Sequence, residues 1–138
     1  MSSKTILIVG AAGLALAAIP AWAHHAFAAE FDINKPVKIQ GTVTRMEWIN
    51  PHSWIHVEVK NPDGTMSGWM VEGGSPNIML RRGFTKDSLV AGTEVIVEGY
   101  MAKTGDFRAN GSNITFKDGK RIFIGGPSPD APPDKPAK

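Results

Sequence analysis

The sequence predicts a mainly β protein, a small OB-fold-like Greek-key barrel of about five to six strands with one short helix between strands three and four. Three observations carry that expectation. Apolar and polar residues alternate with a period of two, most cleanly over 53–60. There Ile55, Val57 and Val59 share one face and Trp54, His56 and Glu58 the other. Turn signals separate the alternating runs, the strongest being Asn61-Pro62-Asp63-Gly64. The first run, 37–48, is long and carries Gly41 inside it, and its apolar positions change from odd (Val43) to even (Met46, Trp48). An interior glycine with a parity slip reads as a β-bulge or bend, which lets one strand serve two halves of a barrel.

The elements follow in order. Residues 1–23 read as a secretory signal: Lys4 in a short leading region, an uncharged run over 6–19, the helix breaker Pro20, and Ala21-Trp22-Ala23 as a small-x-small cleavage site. At about 1.5 Å per residue that run covers roughly 21 Å, short of the ~30 Å of a bilayer core. Cleavage after Ala23 and export to the periplasm are expected, with no stable membrane span afterwards. Residues 24–36 form an arm, either extended or holding one helical turn, with Phe27 and Phe31 four residues apart. The domain proper is expected over 37–124. Asn50-Pro51 marks the first turn, and the strand over 65–72 pairs as a hairpin with that over 53–60.

Gly73-Gly74 then breaks the chain. Ser75 fits a helix N-cap with Pro76 at the first helical position, and Asn77 to Arg82 give less than two turns ended by Gly83 in the left-handed conformation. A strand over 93–102 follows. Residues 103–111 are polar and glycine-bearing, hence a loop, and 112–116 and 121–124 form a final hairpin. The stretch 125–138 is Pro-rich with small or charged residues, and is expected to be a disordered tail.

Composition removes several function classes. The formal charge of the whole chain is only +2, and loss of Lys4 with the signal leaves the remainder near neutrality. Acidic and basic residues are interspersed, with Arg81-Arg82 a tight basic pair, so no nucleic-acid partner is expected. The absence of cysteine excludes disulfides, thiolate metal sites and a cysteine nucleophile. No phosphate-binding glycine loop, dinucleotide fingerprint, zinc-protease motif or serine-hydrolase elbow is present. Ser75 is accounted for as a helix cap. Glu58 with Glu72, and Glu94 with Glu98, read as solvated strand faces rather than catalytic carboxylate pairs.

Two groups of side chains could bind something. Trp48, Trp54, Trp69 and Tyr100 could form an aromatic platform, although packing accounts for most of them. Trp54 is the exception, because its parity turns it away from Ile55, Val57 and Val59. Arg81 and Arg82 could meet an anionic partner or complement the negative end of their helix.

The histidines are the second group, with His24, His25, His52 and His56 as candidate metal ligands. Cleavage after Ala23 would leave His24 with a free amine beside its imidazole, a chelate suited to copper, with His25 adjoining. His52 and His56 lie about 13 Å apart along an extended segment, too far to share one ion. His52, in a loop, is the better partner for the terminus.

The segments Ala-His-His-Ala-Phe-Ala-Ala-Glu-Phe-Asp (23–32), Trp-Ile-Asn-Pro-His-Ser-Trp-Ile (48–55), Gly-Ser-Pro-Asn (74–77), Leu-Arg-Arg-Gly (80–83) and Val-Glu-Gly-Tyr (97–100) resemble a family of small exported bacterial proteins known only as a domain of unknown function. The resemblance implies export and a compact β-rich domain, and carries no activity with it. It directs attention to His24, His25, Asn50, Pro51, His52, Gly74, Ser75, Pro76, Arg81 and Arg82. The expected function is an exported, non-enzymatic binding or accessory module for a small ligand or a periplasmic protein. The alternatives are copper binding through His24, His25 and His52, and a small redox or hydrolytic enzyme.

Overall fold

The computed structural model describes residues 26–126. The export segment, its cleavage point, His24 and His25, and residues 127–138 lie outside the described residues. Within them run β1 (Phe31–Glu47), β2 (Trp54–Lys60), β3 (Met66–Glu72), α1 (Pro76–Arg81), β4 (Glu94–Ala102), β5 (Arg108–Phe116) and β6 (Arg121–Phe123). They form one sheet in the order β3-β2-β1-β4-β5-β6, and an additional β3–β5 pairing closes it into a ring. That pairing is parallel, while the other neighbours are antiparallel. The expected mainly β class, strand number and helix position all hold.

Two long strands make closure possible by changing partners. β1 pairs with β4 from Phe31 to Thr42 and with β2 from Thr42 to Glu47. The exchange falls beside Gly41, where a Cβ would lie 2.9 Å from Val57 Cγ1 and 3.0 Å from the Glu58 carbonyl carbon, and closer still to its oxygen. Only a residue without a side chain lets the strands approach so closely. The bulge itself falls between Val43 and Arg45, and it accounts for the parity slip between Val43 and Met46.

β1 begins at Phe31, six residues earlier than the alternation suggests, because Phe31 pairs with Ala102 and Pro36 with Tyr100 across an irregular stretch. Residues 26–30, just before it, are helical. A second correction concerns 103–111, read as a loop. Arg108 onward is strand, and Arg108, Ala109 and Asn110 make the closing contacts with Met70, Val71 and Glu72. A polar run with no apolar alternation hides this strand, because its neighbours on both edges supply the ladder that its side chains do not announce.

The core takes Ile39, Val43, Ile55, Val57, Val71, Val95, Val97, Ala109 and Ile114 from the strands and Met79 from α1. α1 starts as expected: Ser75 Oγ accepts from the Ile78 amide and Pro76 occupies the first turn. Its end is a Schellman arrangement, with Phe84 N–H donating to Met79 C=O and Gly83 N–H to Leu80 C=O. Gly83 has φ +81°. This turn swings the fully buried Phe84 into the core. Gly125 and Gly126, read as tail, are buried.

Candidate functional site

The closing contact between β3 and β5 sets up the site. Register places Trp54 opposite Glu72, Glu72 opposite Asn110, and Asn110 opposite Tyr100, in one line across β2, β3, β5 and β4. Directly opposed residues on a sheet stand side by side. A second line, one pleat along, carries His56, Met70 and Arg108. Helical residues 26–30 and the start of β1 pack near this end of the sheet. Phe27 meets Tyr100 edge-on at 5.7 Å and Phe31 at 5.8 Å, and the two phenylalanines form with Ala102 a small apolar cluster apart from the main core. The Lys103 amide donates to the Glu30 carbonyl, and the Glu30 carboxylate reaches Arg108 at 3.4 Å.

His52 comes from the β1–β2 loop, after the cis Asn50–Pro51 bond. The Ser53 amide donates to Gly74 C=O and the Gly73 amide to Ser53 C=O, so two backbone bonds fix the residue after His52 against the end of β3. His52 Nδ1 then lies 2.9 Å from Glu72 Oε1. The Glu72 side chain is 10% exposed and that of His52 38%. A carboxylate can only accept, so Nδ1 is the donor, and in the neutral ring Nε2 keeps its lone pair. No hydrogen bond among the described residues engages Nε2. The Glu72 hydrogen bond foremost, with the charges of Glu72 and Glu30, outweighs burial and holds His52 above the ordinary histidine pKa.

Glu72 was weighed from the sequence only as a solvated carboxylate, and the structure corrects that: it is a buried side chain that accepts a hydrogen bond from His52. Beside it Asn110 is 4% exposed, and its Oδ1 has no hydrogen-bond partner among the described residues. Arg108 Nε is likewise buried without a partner. Buried polar atoms are ordinarily satisfied, so such a group beside this hydrogen-bonded pair is where a ligand or bound water gains most.

The other candidate residues fall elsewhere. His56 Nε2 sits 3.0 Å from Glu47 Oε1 and 3.1 Å from an Arg45 guanidinium nitrogen, in a separate cluster from His52. Trp54 is half-buried at the end of the line through Glu72, while Trp48 and Trp69 pack against the core. Arg82 caps α1, stacks on Phe123 at 4.5 Å and donates to the Gly125 carbonyl, and Arg81 is exposed. Glu94 and Glu98 each take a partner from the last hairpin, Lys117 and Arg121. Among the described residues no three His, Asp or Glu side chains gather as a ready metal set, and no helix is long and apolar enough to cross a membrane.

Sequence reasoning missed Glu72, Asn110, Arg108 and Glu30. One signal was available. The turn after Lys60 pairs it with Met66, and counting back along both strands brings Trp54 opposite Glu72, next to His52.

No curated protein and no solved structure matches the chain. A family model does match, over residues 11–112, which takes in the described chain from residue 26 into β5 as far as Ser112, and the protein belongs to that family, a family of unknown function (DUF6152).

Proposed function

We propose that this protein is an exported, non-enzymatic binding module whose ligand is a divalent transition metal, copper in preference, held by His52 together with the imidazole and amine donors of His24 and the imidazole of His25. The observation that carries the reading is the His52–Glu72 pair. A metal-binding histidine characteristically donates its second ring N–H to a carboxylate, which fixes the tautomer and raises the basicity of the other nitrogen. His52 has that arrangement, with Nδ1 on a buried Glu72 and Nε2 unengaged. Glu30, four residues after Ala26, bears electrostatically on His52. In the sequence His24 and His25 stand six and five residues before Glu30. A nitrogen-rich donor set without thiolate favours copper over the other divalent first-row ions.

The test is a calorimetric Cu(II) titration of protein whose chain begins at His24. His52→Ala should weaken binding by at least about tenfold, and Glu72→Gln by about tenfold. An added residue ahead of His24, which removes the terminal amine from the chelate, should weaken it as well. Equal affinity in native and His52→Ala protein would show that the barrel contributes nothing, and the metal reading would fall.

A further inference from the structure

The last hairpin and the end of α1 carry a second concavity, lined by residues outside the His52 cluster and independent of the metal reading. It is a hollow of about 470 Å³ lined by Arg82, Gly83, Lys120, Arg121, Ile122 and Phe123. Three of those six residues are cationic and none is acidic. We propose that this hollow is an anion site whose ligand is a tetrahedral oxyanion of the phosphate class, either free or carried as a monoester.

The two arginines are held in place by contacts on the protein side. Arg82 lies 4.5 Å over the Phe123 ring and donates to the Gly125 carbonyl, so its guanidinium plane is set by the strand it stacks on. An Arg121 guanidinium nitrogen lies 2.5 Å from Glu98 Oε2, which directs one edge of the fork at β4 and leaves further N–H donors. The Lys120 amide donates to Asp118 Oδ1, and this fixes the turn that presents its side chain. Lys120 makes no ion pair among the described residues. Glu98 offsets the charge of Arg121, and the hollow keeps a net positive charge from Arg82 and Lys120 that an entering oxyanion neutralises. The oxyanion also accepts charge-assisted hydrogen bonds from Lys120 and from guanidinium groups that lose little freedom in forming them. The ring of Phe123 and the Ile122 side chain provide an apolar wall that a compact ligand can rest against.

The experiment is an NMR titration of amide resonances of the full chain with inorganic phosphate, and in parallel with glycerol phosphate, at constant ionic strength. The proposal expects saturable shifts confined to residues 82–83 and 120–123 in at least one titration, the tighter ligand naming the source. Lys120→Glu should weaken that binding by about fivefold or more, as loss of one charge-assisted bond implies. Lys86→Glu, the same charge change at an exposed lysine outside the hollow, should leave it unaltered. Arg121→Gln serves as a second variant should Lys120→Glu unfold. Shifts that grow linearly and are matched by chloride would overturn the proposal. So would an equal loss in Lys86→Glu, which would mean that net charge alone attracts the anion.

Discussion

Replacing Gly41 by Ala should be among the most damaging single-methyl changes in this domain. The new Cβ would stand 2.9 Å from Val57 Cγ1 and 3.0 Å from the Glu58 carbonyl carbon, with the carbonyl oxygen nearer than either. Ordinary contact needs about 3.4 Å or more, so β2 must retreat from β1 by roughly 1 Å at the point where β1 exchanges β4 for β2. The pairings Thr42↔Glu58 and Val43↔Val57 lie at that point. Stretching two ladder bonds costs about 1–3 kcal/mol, and loosening the fully packed Val57 adds about 1 kcal/mol. The stiffer unfolded chain of the alanine variant offsets about 0.5–1 kcal/mol. A net loss of about 1–3.5 kcal/mol remains, which lowers the melting temperature of a domain this size by roughly 5–25 °C. Thermal and urea unfolding followed by tryptophan fluorescence will read it. The control is Gly68→Ala. Gly68 faces Glu58 from the β3 side, and a Cβ there meets nothing within 4 Å. It should be neutral or slightly stabilising. Equal unfolding midpoints for the two variants would refute the close approach and the account of barrel closure built on it.

Two further outcomes are expected. Gly83→Val should cost about 1–2 kcal/mol, because φ +81° strains a β-branched residue and the Schellman turn that seats Phe84 depends on it; an unchanged urea midpoint would contradict this. In metal-free protein the His52–Glu72 pair should make stability pH-dependent. The folded-state pKa of His52 is raised, so its contribution is complete below the ordinary histidine range and fades as pH climbs through the raised value. Glu72→Gln should flatten that decline between pH 5 and pH 8, within the working range of a histidine, and an identical profile in the variant would contradict the pairing.

Much of the fold was legible because its signals are local. Alternation found β2 and β3, the Asn61–Gly64 turn joined them, and Ser75-Pro76 and Gly83 bracketed α1 through capping chemistry that needs only neighbouring residues. Even the unusual feature of β1 was visible, since a glycine and a parity slip are what a strand with two partners leaves in the sequence. The start of β1 at Phe31 was not visible. Asp32-Ile33-Asn34-Lys35-Pro36 looks like an arm, and it is held in the sheet by pairing at its two ends rather than by its own propensity.

The candidate site was half legible for a related reason. His52 could be chosen from the sequence because histidine chemistry needs no neighbour to suggest a ligand. Its partners are spread over the chain: Glu72 comes through the β2–β3 register, Glu30 from the helical residues before β1, and Arg108 and Asn110 through one long-range event that no local signal announces, the parallel pairing of β3 with β5. That event depends on a strand whose first half reads Arg-Ala-Asn-Gly, a sequence that hydrophobic patterning assigns to solvent. Yet Ala109, Asn110 and Gly111 are buried. A segment both polar and buried conflicts with the economy of an ordinary core, since Asn110 Oδ1 and Arg108 Nε lie there without partners among the described residues. Such conflicts between local preference and global structure concentrate where a protein binds something. The failure of sequence patterning at β5 and the proposed position of the ligand therefore share one physical cause: polar side chains kept at the closing seam of the barrel, where apolar ones would have closed it at lower cost.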